Sequence, residues 1–118
     1  MTFDVEIVLR EQSHAITERV RHDGNEPSGW TDADVAAVLK AILLAIDRAK
    51  NPGPADRYVA LRGFSWIVEP TAGGVVIAIE IPSGAAVAGP FAIAQPVLDA
   101  QIRRVLVAAA PTTKTVVH

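Results

Sequence analysis

Residues 2 to 10 alternate without a break. Phe3, Val5, Ile7 and Leu9 fall on one side, and Thr2, Asp4, Glu6, Val8 and Arg10 on the other. A period of two predicts a half-buried strand. The next stretch, SHAITERVRHDG, reads two ways. Ile16 and Val20 stand four apart, as on a short helix capped by Ser13, yet they also alternate with Glu18. The β-branched residues and the small apolar surface favour a strand that pairs back on the first. GNEPSG, residues 24–29, is a loop by composition.

Thr31 then opens a helix. Asp34 stands three positions later, as a capping box requires, and Trp30 and Val35 are spaced for a hydrophobic staple. Val35, Val38, Leu39, Ile42 and Ile46 form one stripe. Arg48 and Lys50 suit the negative end of the helix dipole, and Asn51-Pro52 stops the helix. Leu44 points away from the stripe, between Lys40 and Arg48, which makes it either scattered surface or a contact. Residues 54–62 allow a short helix starting at Pro54 or a strand from Tyr58 with a bulge at Gly63. The bulge would bring Val59 and Leu61 onto the face of Phe64, Trp66 and Val68.

Residues 64 to 81 predict a hairpin. Turning the chain at Thr71-Ala72-Gly73-Gly74 sets Pro70 opposite Val75, Val68 opposite Ile77, Trp66 opposite Ile79 and Phe64 opposite Ile81. These apolar residues then share one face, while Ser65, Ile67, Glu69, Val76, Ala78 and Glu80 share the other. A slip of one residue destroys the agreement. Gly73 and Gly74 supply positive φ to the turn and need no ligand to explain them. Pro82 ends the second strand, and PSGAAVAGP reads as a small-residue loop, either a simple connection or a mobile lid. A last helix starts near Pro96. Its apolar face is Leu98, Ile102, Val105, Leu106 and Ala109, and its polar residues are Asp99, Gln101, Arg103 and Arg104.

The elements predict an α+β fold: a small antiparallel or mixed sheet with two amphipathic helices packed on one face, a two-layer sandwich. Residues 1–111 form a single domain and 112–118 a C-terminal tail. The chain has 118 residues, half of them hydrophobic and a fifth charged, so it has enough apolar surface to fold as one unit. Its positive mean hydropathy suggests that some apolar surface meets another chain. A formal net charge of −2, with no basic cluster, argues against nucleic-acid binding. The absence of cysteine excludes disulfides, thiolate metal sites and a cysteine nucleophile. No apolar run is long enough for a membrane span, and MTFDVEIVLREQ carries too many charges for a signal peptide. The expected location is therefore cytoplasmic, by default.

Candidate chemistry is sparse. Gly84 and Gly89 have the glycine spacing of a phosphate-binding P-loop, but Pro90-Phe91 stands where the lysine and hydroxyl residue belong. His14 and His22, with Asp23 beside the latter, and His118 in the tail have no ligand spacing; all three are expected to be solvated. Ser65 lacks the second glycine of a nucleophile elbow. No metal or cofactor is expected. Glu69 and Glu80 share the second hairpin face and are candidates for an acid and base pair, or for solvated sheet carboxylates. Arg62 and Arg103-Arg104 are candidates for holding an anion, or for covering the core with their stems.

Two functions fit. One is a non-catalytic protein–protein interaction or assembly module, a homodimer joined through Ile67, Val76 and Ala78 or through Leu44. The other is a small-molecule-binding protein or small enzyme, with a pocket between sheet and helices near Trp66 and polar contacts from Arg62, Glu69 and Glu80.

Overall fold

The alternation of residues 2–10 is carried into the structure without exception: Phe3, Val5, Ile7 and Leu9 are buried and their neighbours are exposed. The computed structural model describes residues 1–110, so the expected tail at 112–118, with His118, lies outside the described residues. In chain order the elements are β1 (Thr2–Leu9), β2 (Ile16–Arg21), α1 (Asp32–Lys50), β3 (Ser65–Thr71), β4 (Gly74–Ile81), β5 (Gly84–Phe91) and α2 (Gln95–Ala109). A short 3-10 turn, Pro27–Gly29, precedes α1. The five strands form one sheet in the order β2-β1-β5-β4-β3, and every adjacent pair is antiparallel. Helix α1 packs on β1, β2 and β5, and α2 packs on β3 and against α1. The protein is an α+β sandwich of two layers.

The hairpin has the register that the sequence predicts, from Ser65 opposite Glu80 to Thr71 opposite Gly74. Gly73 and Gly74 have φ of 90° and 134°, which a side chain would resist. A Cβ on Gly74 would also overlap the carbonyl of Phe91, so β5 can approach the turn only because that position is bare. Val68, Val75, Ile77 and Ile79 are buried as expected. Trp66 and Phe64 are only half-buried at the margin of the core, and β3 begins after Phe64. Arg103 of α2 covers Trp66, with its guanidinium carbon 5.4 Å from the ring centroid.

The expected loop over residues 82–90 is overturned. Pro82-Ser83 is a tight turn, and residues 84–91 form β5, the central strand of the sheet. Ala86 and Ala88 face the core; Ala85 and Val87 face away. The register on β4 passes from Ile77–Ala88 to Val75–Phe91, so β5 gains one residue at Gly89-Pro90. That bulge restores the inward side to Phe91. Phe91 is fully buried, with ring centroids 5.2 Å from Phe3 and 5.0 Å from Trp30. Neither a lid nor a phosphate loop remains, because Gly84 and Gly89 both lie within a paired strand.

Helix α1 starts as its sequence specifies. The Thr31 side chain accepts from the Asp34 backbone N–H, and Asp34 Oδ2 accepts from the Thr31 N–H at 2.9 Å. Trp30 and Val35 are both buried. Leu44 is half-buried. Residues 54–62 are neither helix nor strand. Arg57 holds the segment instead, donating to Asp47 Oδ2 at 2.7 Å and to the carbonyls of Asn51 and Gly53. The inward return of Leu61 before Phe64 is still present, made at Gly63 with φ of 81° in a loop rather than by a bulge.

The two aromatic positions differ in a measurable way. Phe91→Ala is expected to lower unfolding free energy by ~3–5 kcal/mol, the cost of a large cavity in a closed core. Trp66→Ala is expected to cost clearly less, because its ring already meets solvent and an arginine. Equal losses in urea titrations would contradict these positions. Thr31→Ala is expected to cost ~0.5–2 kcal/mol through the lost cap.

Candidate functional site

With both helices on one face of the sheet, no layer among the described residues covers the other face. Its outward side chains come from all five strands and can be read in rows from the pairing. One row runs Thr17, Glu6, Val87, Ala78, Ile67; the next runs Val8, Ala85, Glu80, Ser65. A third runs Arg19, Asp4, Gly89 and then, past the bulge, Val76 and Glu69. The middle of the face is apolar. Ile67 is 53% exposed, Val8 48% and Val87 41%, while Val76, Ala78 and Ala85 are half-buried between them. Such a face is ordinarily polar when it meets water.

The apolar centre is also hollow. Ala78 stands between Ile67 and Val87, and Ala85 and Ser65 are small, so a depression of about 390 Å³ opens over β3, β4 and β5. Glu80 lies at its margin. Of the residues singled out in the sequence, Ile67, Val76, Ala78, Glu69 and Glu80 are brought together on this face. Val8, Ala85 and Val87 complete it, and pairing the hairpin alone gave no sign of them.

The proposed ligand contacts are distributed differently. Trp66 is on the helix side, while Glu69 and Glu80 are on the outer side. Arg62 is exposed in the loop before β3. Glu80 pairs with Ser65, four residues before Glu69 on β3, which sets their backbone positions ~13 Å apart along the strands. That is too far for them to share a proton or a water. Arg103 and Arg104 bind carboxylates of the protein itself, Asp99 and Asp32, with N–O distances of 2.8 and 2.9 Å. The Asp32 carboxyl is lowered below its ordinary range by the hydrogen bond and charge of Arg104, and Asp47 is lowered likewise by Arg57.

Solvation of the histidines holds for His14 and fails for His22, which is buried. His22 does not use its neighbour Asp23, whose carboxylate takes Arg21. Its Nε2 lies 3.0 Å from Asp34 Oδ1. Asp34 also accepts from the Asn25 amide at 3.0 Å, and the Trp30 indole donates to the Asn25 carbonyl at 2.9 Å. Gln101, expected on a polar helix face, is buried as well and donates to the Trp30 carbonyl at 2.6 Å. These bonds join the 24–30 loop to both helices. The pairing needs chain ends twelve residues apart, so local spacing carries no signal for it. An ionised Asp34 only accepts, so the His22 proton in this pair sits on Nε2. The cluster is enclosed by protein groups and serves the fold. Among the described residues no group of three potential metal ligands exists, and no helix is long and apolar enough to cross a membrane.

The Asp34 cluster generates a pH dependence. The Thr31 backbone N–H, followed by the hydrogen bonds of His22, the Thr31 hydroxyl and Asn25, lowers the Asp34 carboxyl from 3.8 to about 2. A carboxyl that is more acidic in the folded state stabilises above its unfolded value, and the contribution fades as pH falls from about 4 towards 2. The urea midpoints of wild type and Asp34→Asn are therefore expected to differ most near neutral pH and to converge below about pH 4. A gap that stays constant down to about pH 2 would contradict the assignment.

Comparison with protein-family models, curated proteins and solved structures gives no match.

Proposed function

We propose that this protein is a non-catalytic assembly module that works as a homodimer, with the outer face of the sheet closed by a second copy. The observation that supports this is the exposed apolar centre formed by Val8, Ile67 and Val87, with Ala85 beside Val8 and Ala78 between Ile67 and Val87. Charged side chains, Asp4, Glu6, Arg19, Glu69 and Glu80, surround it, the arrangement of an interface core and its polar rim. A second copy has the same face to hide, and two-fold pairing is the commonest symmetry among soluble oligomers. Five strands about 4.8 Å apart and some seven residues long offer roughly 500–600 Å² per protomer. Two such faces come to about 1,100 Å² in total, at the low end for a specific complex. The dimer should accordingly be reversible and concentration-dependent. A binding site for a small apolar molecule in the same depression is the second reading, supported by its volume and its apolar lining.

Sedimentation across the micromolar range is expected to show monomer and dimer in exchange. Ile67→Lys is expected to leave only folded monomer, while Leu44→Lys, on a helix, leaves the equilibrium unchanged. Wild-type monomer at every concentration would reject the assembly reading. Dissociation by Leu44→Lys alone would move the interface to α1.

A further inference from the structure

The charges on the uncovered face are distributed unequally. On the β3–β4 side the outward charged residues are Glu69 and Glu80, and no basic residue joins them on those two strands. On the β2–β1 side Arg19 and Arg21 accompany Asp4 and Glu6. Glu80 borders a hollow that Arg10 of the same chain also lines. Glu69 has no ion-pair partner among the described residues, and Arg19 is held loosely, 3.6 Å from Asp4 and 3.3 Å from the Thr2 hydroxyl. Glu69 and Arg19 end the same row at opposite edges of the sheet.

Two symmetric ways exist to stack this face on itself with its strands aligned. A two-fold axis across the strands would lay β3 on β3 and β4 on β4, setting the acidic edge against itself. An axis along the strands, over the central β5, would lay β3 on β2 and β4 on β1 while keeping each row at its own level. Sheets packed this way lie ~10 Å apart with a rotation of ~30°, within the combined reach of a glutamate and an arginine. We infer that the homodimer forms about a two-fold axis parallel to β5, so that Glu69 meets the partner's Arg19 at both edges and Ala85 and Val87 meet their own copies at the centre. This rests on the assembly reading and specifies its geometry. Opposed charges across an interface select the register and orientation of the partner, whereas like charges reject the alternative.

Charge reversal tests the orientation at low ionic strength, where rim pairs are least screened. Glu69→Lys alone and Arg19→Glu alone should each weaken the dimer at least tenfold, because each homodimer then carries two repulsive pairs. Mixing the two variants should restore a heterodimer near wild-type affinity, since both of its pairs are again opposite in charge. Circular dichroism verifies that each variant is folded. A wild-type dimer that Glu69→Lys does not weaken, or variants that do not rescue each other, would overturn this orientation and leave the assembly reading standing. A wild type that never dimerises removes both. The chain has no cysteine, so single cysteines give an independent measure that survives if a charge variant misfolds. Ala85→Cys and Val87→Cys should both cross-link to themselves through a short bis-maleimide, and Ile67→Cys should not. Efficient self-linking of Ile67→Cys with none at Ala85→Cys indicates the crosswise axis and overturns the proposal.

Discussion

The insertion of the last strand between the first and the fourth organises the molecule. β5 pairs with β1 on one side and β4 on the other, so residues from both ends of the sequence become one sheet. Its backbone groups are satisfied from both edges, which compensates for a composition that does little by itself to form a strand. Small inward residues, Ala86 and Ala88, let α1 close down on the sheet centre. The bulge at Gly89-Pro90 then turns Phe91 inward, where it meets Phe3 of β1 and Trp30 at the entry to α1. The same pleat determines the other side. Every residue that β5 directs into the core has a neighbour directed to the uncovered face, so Ala85 and Val87 are placed there by the folding of the core.

Much of this was legible where the chain uses local rules. The β1 alternation, the β3–β4 register and the Thr31–Asp34 box each depend on residues within a few positions of one another, and the structure reproduces them. β5 is not legible in the sequence, for a physical reason. Alanine and glycine give no strong alternation in hydrophobicity, and what makes GAAVAGPF a strand is the pair of edges waiting for it. Residues 54–62 form neither the expected helix nor the expected strand because a single arginine, Arg57, organises them by bonding to backbone carbonyls. His22 and Gln101 read as surface residues because polar side chains usually are. Their burial depends on partners far away in sequence, Asp34 and Trp30.

The uncovered face was half legible for the same reason. The hairpin register puts Ile67, Val76 and Ala78 on the face opposite the core, and among the described residues no layer covers them there. The contributions of Val8, Ala85 and Val87 required the position of β5. Their arrival turns two or three scattered apolar residues into a continuous centre with a depression in it. Glu69 and Glu80, spaced in sequence as a candidate acid and base, are two separate carboxylates on the acidic side. In the proposed assembly, shape at the centre and charge at the edges act together.

The most direct measure of whether this face is covered is the access of solvent to its methyl groups. A soluble paramagnetic agent broadens the methyl resonances it can reach. Val107, 76% exposed on α2, provides an internal reference outside the proposed interface. As protein concentration rises, the methyls of Ile67, Val8 and Val87 should become protected while Val107 stays fully broadened. If Ile67 and Val87 remain as accessible as Val107 at all concentrations, the sheet face is open to water and a second copy does not cover it.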